Sequence, residues 1–170
     1  IKASSLLAGP YDYFTFVSDI LINKETSWDN MDIYNWSIYA LNKFTPSLSL
    51  SKETIWSYAV ENQIQALSIP SNKPKKIYQS EILDPFNPRY IKLMQLVENN
   101  SLIKGWQPTG HLFFHSGTDD AIVPHYNSTN AHKQFQLVGA NSKLYEYLGG
   151  DHYTPLYEYV TTTLNDFNNL

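Results

Sequence analysis

The sequence predicts an α/β fold: a parallel sheet with helices on its faces and a long helical insertion. Three observations predict it. Short apolar runs bounded by turn residues stand at Ile1–Ala8, His111–His115 and Ser142–Leu148, the mark of strands buried on both faces. Segments with apolar residues at helical spacing separate these runs. Polar turns then follow the second and third runs, Thr118-Asp119-Asp120 and Gly149-Gly150-Asp151-His152. An open α/β sheet keeps its chemistry there, beyond the carboxyl ends of its strands.

Each element follows in order. Ile1–Ala8 is the first strand, stopped by Gly9-Pro10. The following Tyr11-Asp12-Tyr13-Phe14 begins a helix that runs to about Ile22, with Phe14, Val17, Ile20 and Leu21 at helical spacing. Met31–Phe44 reads as an amphipathic helix with Ile33, Trp36, Ile38, Tyr39 and Leu41 inward. Ser51 caps a further helix to about Leu67, with Ile55, Tyr58, Ala59, Asn62 and Ala66 on one face. Pro70–Lys76 is a polar, basic break, expected as an exposed loop. Asp84–Pro88 is a second break, and Pro88 suits the first turn of a helix over Arg89–Glu98, where its missing N–H costs nothing. Ile91, Met94, Leu96 and Val97 are that helix's apolar side. After Pro124 a helix covers about Ser128–Val138 and stops at Gly139. The last helix, Pro155–Phe167, carries Leu156, Tyr159, Val160 and Leu164 along one side. The expected organisation is a sheet-bearing part, 1–16 with 106–170, and a mostly helical insertion, 17–105. Three strands make a small sheet, and the free edge of the first invites pairing with other backbone.

Composition narrows the function. Hydrophobic residues make up 42% and charged residues 16%, so the chain is globular rather than disordered. The aromatic share of 15%, with 13 Tyr and 4 Trp, suits extensive apolar contact surfaces. A formal net charge of -4 without a basic block gives nucleic-acid binding no support. With no Cys, thiolate catalysis, disulfides and Cys-ligated metals are excluded. No apolar run is long enough to span a membrane, and no signal peptide is visible. The chain begins at Ile1 without Met, inside a strand, so the natural amino terminus is expected upstream.

The chemistry centres on Asp120 and His152. A buried carboxylate at a strand end can fix the tautomer of a histidine and stabilise its protonated form. Taken singly, each residue has a plainer role: Asp119 and Asp120 can shape a turn, and a lone histidine commonly serves structure. Taken together, they lie on successive strand ends separated by one helix, so parallel strands bring them to one rim. His111, His115, His125 and His132 have no metal-ligand spacing and are read as structural. No metal and no cofactor is expected. Ser116-Gly117 lacks the first glycine of a nucleophile elbow, and no G-x-S-x-G occurs in the chain. Three glycosylation sequons begin at Asn35, Asn99 and Asn127.

The segment from Leu93 to His152 resembles the carboxyl-terminal half of an α/β-hydrolase, most of all the esterase and secretory-lipase branches. Gly117-x-x-Asp120-x-x-Val123-Pro124 matches the family's acid motif, and that match selects Asp120 over Asp119. Gly139-Ala140-Asn141 and Gly149-x-x-His152 match the surroundings of its last strand, and Ala8–Tyr13 (AGPYDY) resembles the turn after the sheet's sixth strand. The resemblance implies a partial α/β-hydrolase fold with a helical cap, and a serine-type carboxylic-ester hydrolase acting on small-molecule esters. Asp120 would be the triad acid and His152 the base. The nucleophile and oxyanion-hole segments would lie before Ile1, so the chain alone is expected to be inactive. Its partners would be that missing amino-terminal half or another copy of the chain. The family includes secreted and periplasmic enzymes. The aromatics Trp28, Tyr34, Trp36, Tyr39, Trp56 and Tyr58 would roof the acyl pocket, or simply pack the cap. A prolyl-oligopeptidase-like peptidase and a non-catalytic binding module on a hydrolase scaffold are the alternatives.

Overall fold

The computed structural model describes residues 1–23, 26–45, 50–57 and 69–170. The chain divides into two compact units, residues 1–12 with 101–170, and residues 13–100.

The first unit is built on a three-stranded parallel sheet, β1 (Ala3–Leu7), β2 (His111–Gly117) and β3 (Ser142–Tyr147), in the order β1-β2-β3. The register pairs Ala3 with His111 and Leu112 with Ser142. β2 runs past the expected His115 to Gly117, because its pairing with β3 continues to Gly117–Tyr147. As the central strand it is covered on both faces, which is why it reads as an almost unbroken apolar run. Alternate residues separate the two faces. Phe114 stacks on Phe135 of the helix Tyr126–Leu137, with ring centroids 6.0 Å apart. Phe113 lies 6.2 Å from Phe167, and His115 4.9 Å from Tyr159, on the helix Leu156–Asn168. Tyr11, Ile103, Leu112, Phe114, Ala131, Phe135 and Ala140 form the core of the first face. Burying a side chain such as Phe114 contributes about 1.5–3 kcal/mol.

Of the side of the final helix expected inward, only Tyr159 faces the sheet. Leu156, Val160 and Leu164 are exposed. Tyr159 and Thr163 meet β1 instead: the Tyr159 hydroxyl donates to the Ser5 carbonyl (3.3 Å), and Thr163 Oγ1 lies 2.7 Å from Ser5 Oγ.

The second unit is helical. Among its described residues the helices are α1 (Tyr13–Ile22), α2 (Trp28–Phe44), α3 (Lys52–Ile55), α4 (Pro74–Ile77), α5 (Ser80–Leu83) and α6 (Pro88–Asn99); in the first unit, Tyr126–Leu137 is α7 and Leu156–Asn168 is α8. Ser27 Oγ caps α2 by accepting from the Asn30 N–H (3.0 Å). Asn87 Oδ1 caps α6, with Pro88 in its first turn. The core includes Phe16, Val17, Ile20, Met31, Tyr34, Ile38, Trp56, Tyr78 and Leu93.

Several expectations need correction here. In α1, Phe14 is exposed while Tyr13 and Phe16 are buried. In α2 the buried face is Asn30, Met31, Tyr34, Asn35, Ile38 and Asn42, and Trp36 is exposed. The asparagines go inward because they are paired. Asn35 Oδ1 accepts from the Tyr78 hydroxyl and from Trp56 Nε1 (3.2 Å). Asn42 clasps the Leu50 backbone through both its amide atoms. Periodicity counts apolar residues and misses such pairs. The helix expected from Ser51 breaks at Trp56, which bridges antiparallel to Tyr78; residues 58–68, with Tyr58, Ala59, Asn62 and Ala66, lie outside the described residues. The expected exposed loop at 70–76 instead ends in α4, with Ser71, Pro74 and Ile77 buried. In α6, Ile91 is exposed and Leu93 is buried. Of the sequon asparagines, Asn35 and Asn127 are buried and Asn99 is exposed.

Candidate active site

The carboxyl ends of β2 and β3 meet because the chain has no side chain between them. A Cβ on Gly117 would lie 2.1 Å from the Gly150 carbonyl oxygen and 2.5 Å from that of Asp151. In that space backbone bonds join the two turns. Thr118 N–H donates to Tyr147 O and Asp119 N–H to Gly150 O, each at 3.0 Å. Thr118 Oγ1 accepts from the Gly149 N–H at 2.8 Å. Gly149 turns the chain with φ +71°, a conformation that favours glycine.

This junction sets the two predicted residues side by side. Asp120 Oδ2 lies 2.8 Å from His152 Nδ1. Its other oxygen, Oδ1, accepts the Ile122 and Val123 N–H groups, each at 2.9 Å. The Asp120 side chain is fully buried, and that of His152 is 24% exposed. A carboxylate only accepts, so Nδ1 of His152 carries the proton and Nε2 is left with its lone pair. Asp119 is exposed and accepts from the hydroxyl of Thr118 (3.2 Å); it does not join the pair.

The His152 ring, with Leu7, Ala8, Tyr153 and Leu156, lines a small apolar cavity of about 190 Å³. Ala8 sits at the end of β1 with φ +47°, a left-handed conformation that is strained for alanine. Its N–H is tied to the His115 carbonyl at 2.9 Å. Behind the histidine, Asp151 Oδ1 accepts the Tyr153 and Thr154 N–H groups (2.8 Å each), and Thr154 Oγ1 accepts the Asp151 N–H (2.9 Å). The Thr154 and Tyr153 amides hold the Asp151 carboxyl below its usual range. This local ring brackets His152 and leads into α8. Asp151 carries no signal in the sequence beyond its turn setting, where an aspartate can bond the amides that follow it.

The remaining histidines are engaged elsewhere. His111 Nδ1 meets Asn141 Nδ2 (2.9 Å), and His132 Nδ1 meets Ser142 Oγ (3.0 Å). His115 is fully buried, bonded through Nδ1 to the Tyr147 hydroxyl (2.8 Å) and stacked on Tyr145. His125 lies between Ser116 Oγ (2.6 Å) and Glu146 Oε1 (2.7 Å). Among the described residues, no group of three or more His, Cys, Asp or Glu could hold a metal ion. No helix of the described residues is long and apolar enough to cross a membrane.

No protein-family model and no curated protein matches the sequence. Solved structures do match the fold. The rice cell wall degrading esterase LipA from Xanthomonas oryzae superposes with a TM-score of 0.70 at 19% identity, over 94% of this chain and 46% of its own. Candida antarctica lipase A in its closed state superposes with a TM-score of 0.71 at 14% identity, over 99% of this chain and 42% of its own. The chain therefore spans less than half the length of these structures. A small parallel sheet with flanking helices, alike to part of an esterase and part of a lipase, is a partial α/β-hydrolase fold.

Proposed function

We propose that the chain is the acid- and histidine-bearing half of a serine-type carboxylic-ester hydrolase. One observation carries this reading: the buried Asp120 carboxylate holds Nδ1 of His152 at 2.8 Å, while the ring lines an apolar cavity. In that tautomer Nε2 can accept a proton. A serine hydroxyl from a segment outside these residues attacks the acyl carbon, and Nε2 takes its proton as the C–O bond forms. The tetrahedral intermediate expels the alcohol, which takes the proton from Nε2. Water then repeats the exchange, releasing the acid and restoring the serine. Asp120 keeps its negative charge throughout and stabilises the imidazolium by hydrogen bond and charge. The similarity in fold to an esterase and a lipase supports the ester as the substrate class.

The test is made in the intact protein. His152→Ala should abolish ester turnover and labelling by a fluorophosphonate, with the thermal melt unchanged. Retained turnover would overturn the assignment of the base.

A further inference from the structure

A second hydrogen-bonded chain, Ser116–His125–Glu146, stands at the same end of the sheet. Its members have the composition of a catalytic triad, but Ser116 is buried in the sheet, at 1% exposure. An acyl carbon could not reach its hydroxyl. Both nitrogens of His125 are also occupied, which leaves no site to receive a proton from a substrate.

The position of His125 assigns it a different task. Ser116 and His125 bracket the loop Gly117–Pro124 that carries Asp120. Within that loop Asp120 is rigid, because Oδ1 is held by the amides two and three residues on. The amino-terminal side of the loop is tied to the β3 turn through Thr118 and Asp119. On the carboxyl-terminal side, His125 Nδ1 reaches β2 at Ser116 and Nε2 reaches β3 at Glu146, and these two residues are register partners across the sheet. In the neutral ring Nε2–H donates to Glu146, and Nδ1 accepts the Ser116 hydroxyl proton. The imidazole thus pins the loop to both strands whose ends carry Asp120 and His152.

We infer that His125 is a positioning residue for the acid: it fixes the height of the Asp120 loop over the sheet, and so the alignment of Asp120 with His152 Nδ1. The inference rests on the proposed role of that pair. A displacement of the order of 1 Å in such a group can cost up to about a hundredfold in rate. The effect should fall on the chemical step, since His125 itself touches no substrate.

The experiment compares four forms of the intact protein: wild type, His125→Ala, His125→Asn and His152→Ala. The readouts are kcat and KM for a simple aryl ester, the folded fraction by circular dichroism, and the far-downfield proton resonance of the Asp120–His152 hydrogen bond. His125→Ala should lower kcat about tenfold or more at unchanged KM and shift or broaden that resonance, with the folded fraction unchanged. His125→Asn, whose amide can occupy the Nδ1 position and bond Ser116, should restore most of kcat and the resonance. Unchanged kcat in His125→Ala, or a loss that matches a lower folded fraction with no recovery in His125→Asn, would overturn the positioning role while His152→Ala stays inactive. Turnover retained in His152→Ala would instead remove the underlying catalytic reading, and this inference with it.

Discussion

Two histidine–carboxylate pairs close the carboxyl ends of β2 and β3, and they differ in one respect that decides their use. In Asp120–His152 the carboxylate is the buried partner and the imidazole is partly exposed beside a cavity. In Glu146–His125 the carboxylate is 56% exposed, and the imidazole is held at both nitrogens, by Glu146 and by Ser116. Burial keeps Asp120 from water and directs its charge at one proton, on Nδ1. The second nitrogen of His152 is left for a reactant. The exposed Glu146 accepts from Nε2 of His125 and serves to orient its ring. A carboxylate beside a histidine is thus not by itself a site; what sets His152 apart is that only one ring nitrogen is hydrogen-bonded among the described residues, on a residue that lines a cavity.

The comparison can be broken most severely at Asp120. Asp120→Asn keeps the shape of the pair but donates to Nδ1 through its amide, or leaves Nδ1–H with a weaker acceptor, and so favours the wrong tautomer. A loss on the order of 10⁴ in kcat is expected in the intact protein. Asp119→Asn, changing an exposed side chain bonded to Thr118, should stay within a few-fold of wild type. Steady-state kinetics on the two variants checks this, and equal losses would undo the choice of Asp120.

Next in size is the junction itself. Gly117→Ala places a methyl group on the Gly150 and Asp151 carbonyls. Both are backbone atoms and cannot rotate away, so the two turns must separate. Overpacking of this kind costs typically about 1–3 kcal/mol, and the Asp120–His152 bond should lengthen with it. Chemical denaturation gives the stability change. A downfield proton signal that survives unaltered would show that the close approach is not what aligns the pair.

A third histidine sharpens the contrast at the smallest scale. His115 has no nitrogen facing water: Nδ1 bonds Tyr147, and Nε2 is buried without a partner. Its pKa is lowered from 6.5 to about 4, first by burial, with Asp166 acting to raise it and Lys143 to lower it further. The folded state therefore resists protonation where the unfolded chain accepts it. The resulting contribution is fully present above pH 6.5 and is lost as the pH falls from 6.5 towards 4. Up to about 3 kcal/mol is at stake. Melting temperatures should fall over that interval, and His115→Phe should flatten the fall. An equal slope in the variant would place the acid sensitivity elsewhere.

Much of the sheet-bearing unit was legible in the sequence, while the helical unit was legible only as helices. β2 announces itself because both of its faces are buried, so nearly every position must be apolar. The turns after β2 and β3 announce themselves because glycine, aspartate and histidine interrupt such runs for few reasons. In α2 the same logic is incomplete: Ile38 is buried and Ile33, Tyr39 and Leu41 pack against the core, while Trp36 is exposed and asparagines join the inward face. Its inward face includes Asn30, Asn35 and Asn42, which bond in turn to Thr26, to Trp56 and Tyr78, and to the Leu50 backbone; the partners of Asn35 lie far along the chain. In α8 the logic holds for Tyr159 alone, since Leu156, Val160 and Leu164 stay exposed and the hydroxyls of Tyr159 and Thr163 meet β1. Periodicity records what a residue prefers, not what it pairs with.

The sequence alone carried the parallel order of strand and helix and the placement of Asp120 and His152 on successive strand ends. These follow from local spacing and residue type. Only the tertiary structure decided which histidine keeps a free nitrogen, since His125 and His152 each follow a strand and each have a carboxylate in reach. That choice depends on register. Ser116 and Glu146 face each other across β2 and β3 and take both nitrogens of His125. The missing side chain at Gly117 lets the neighbouring turns approach until Asp120 meets one nitrogen of His152 and leaves the other open.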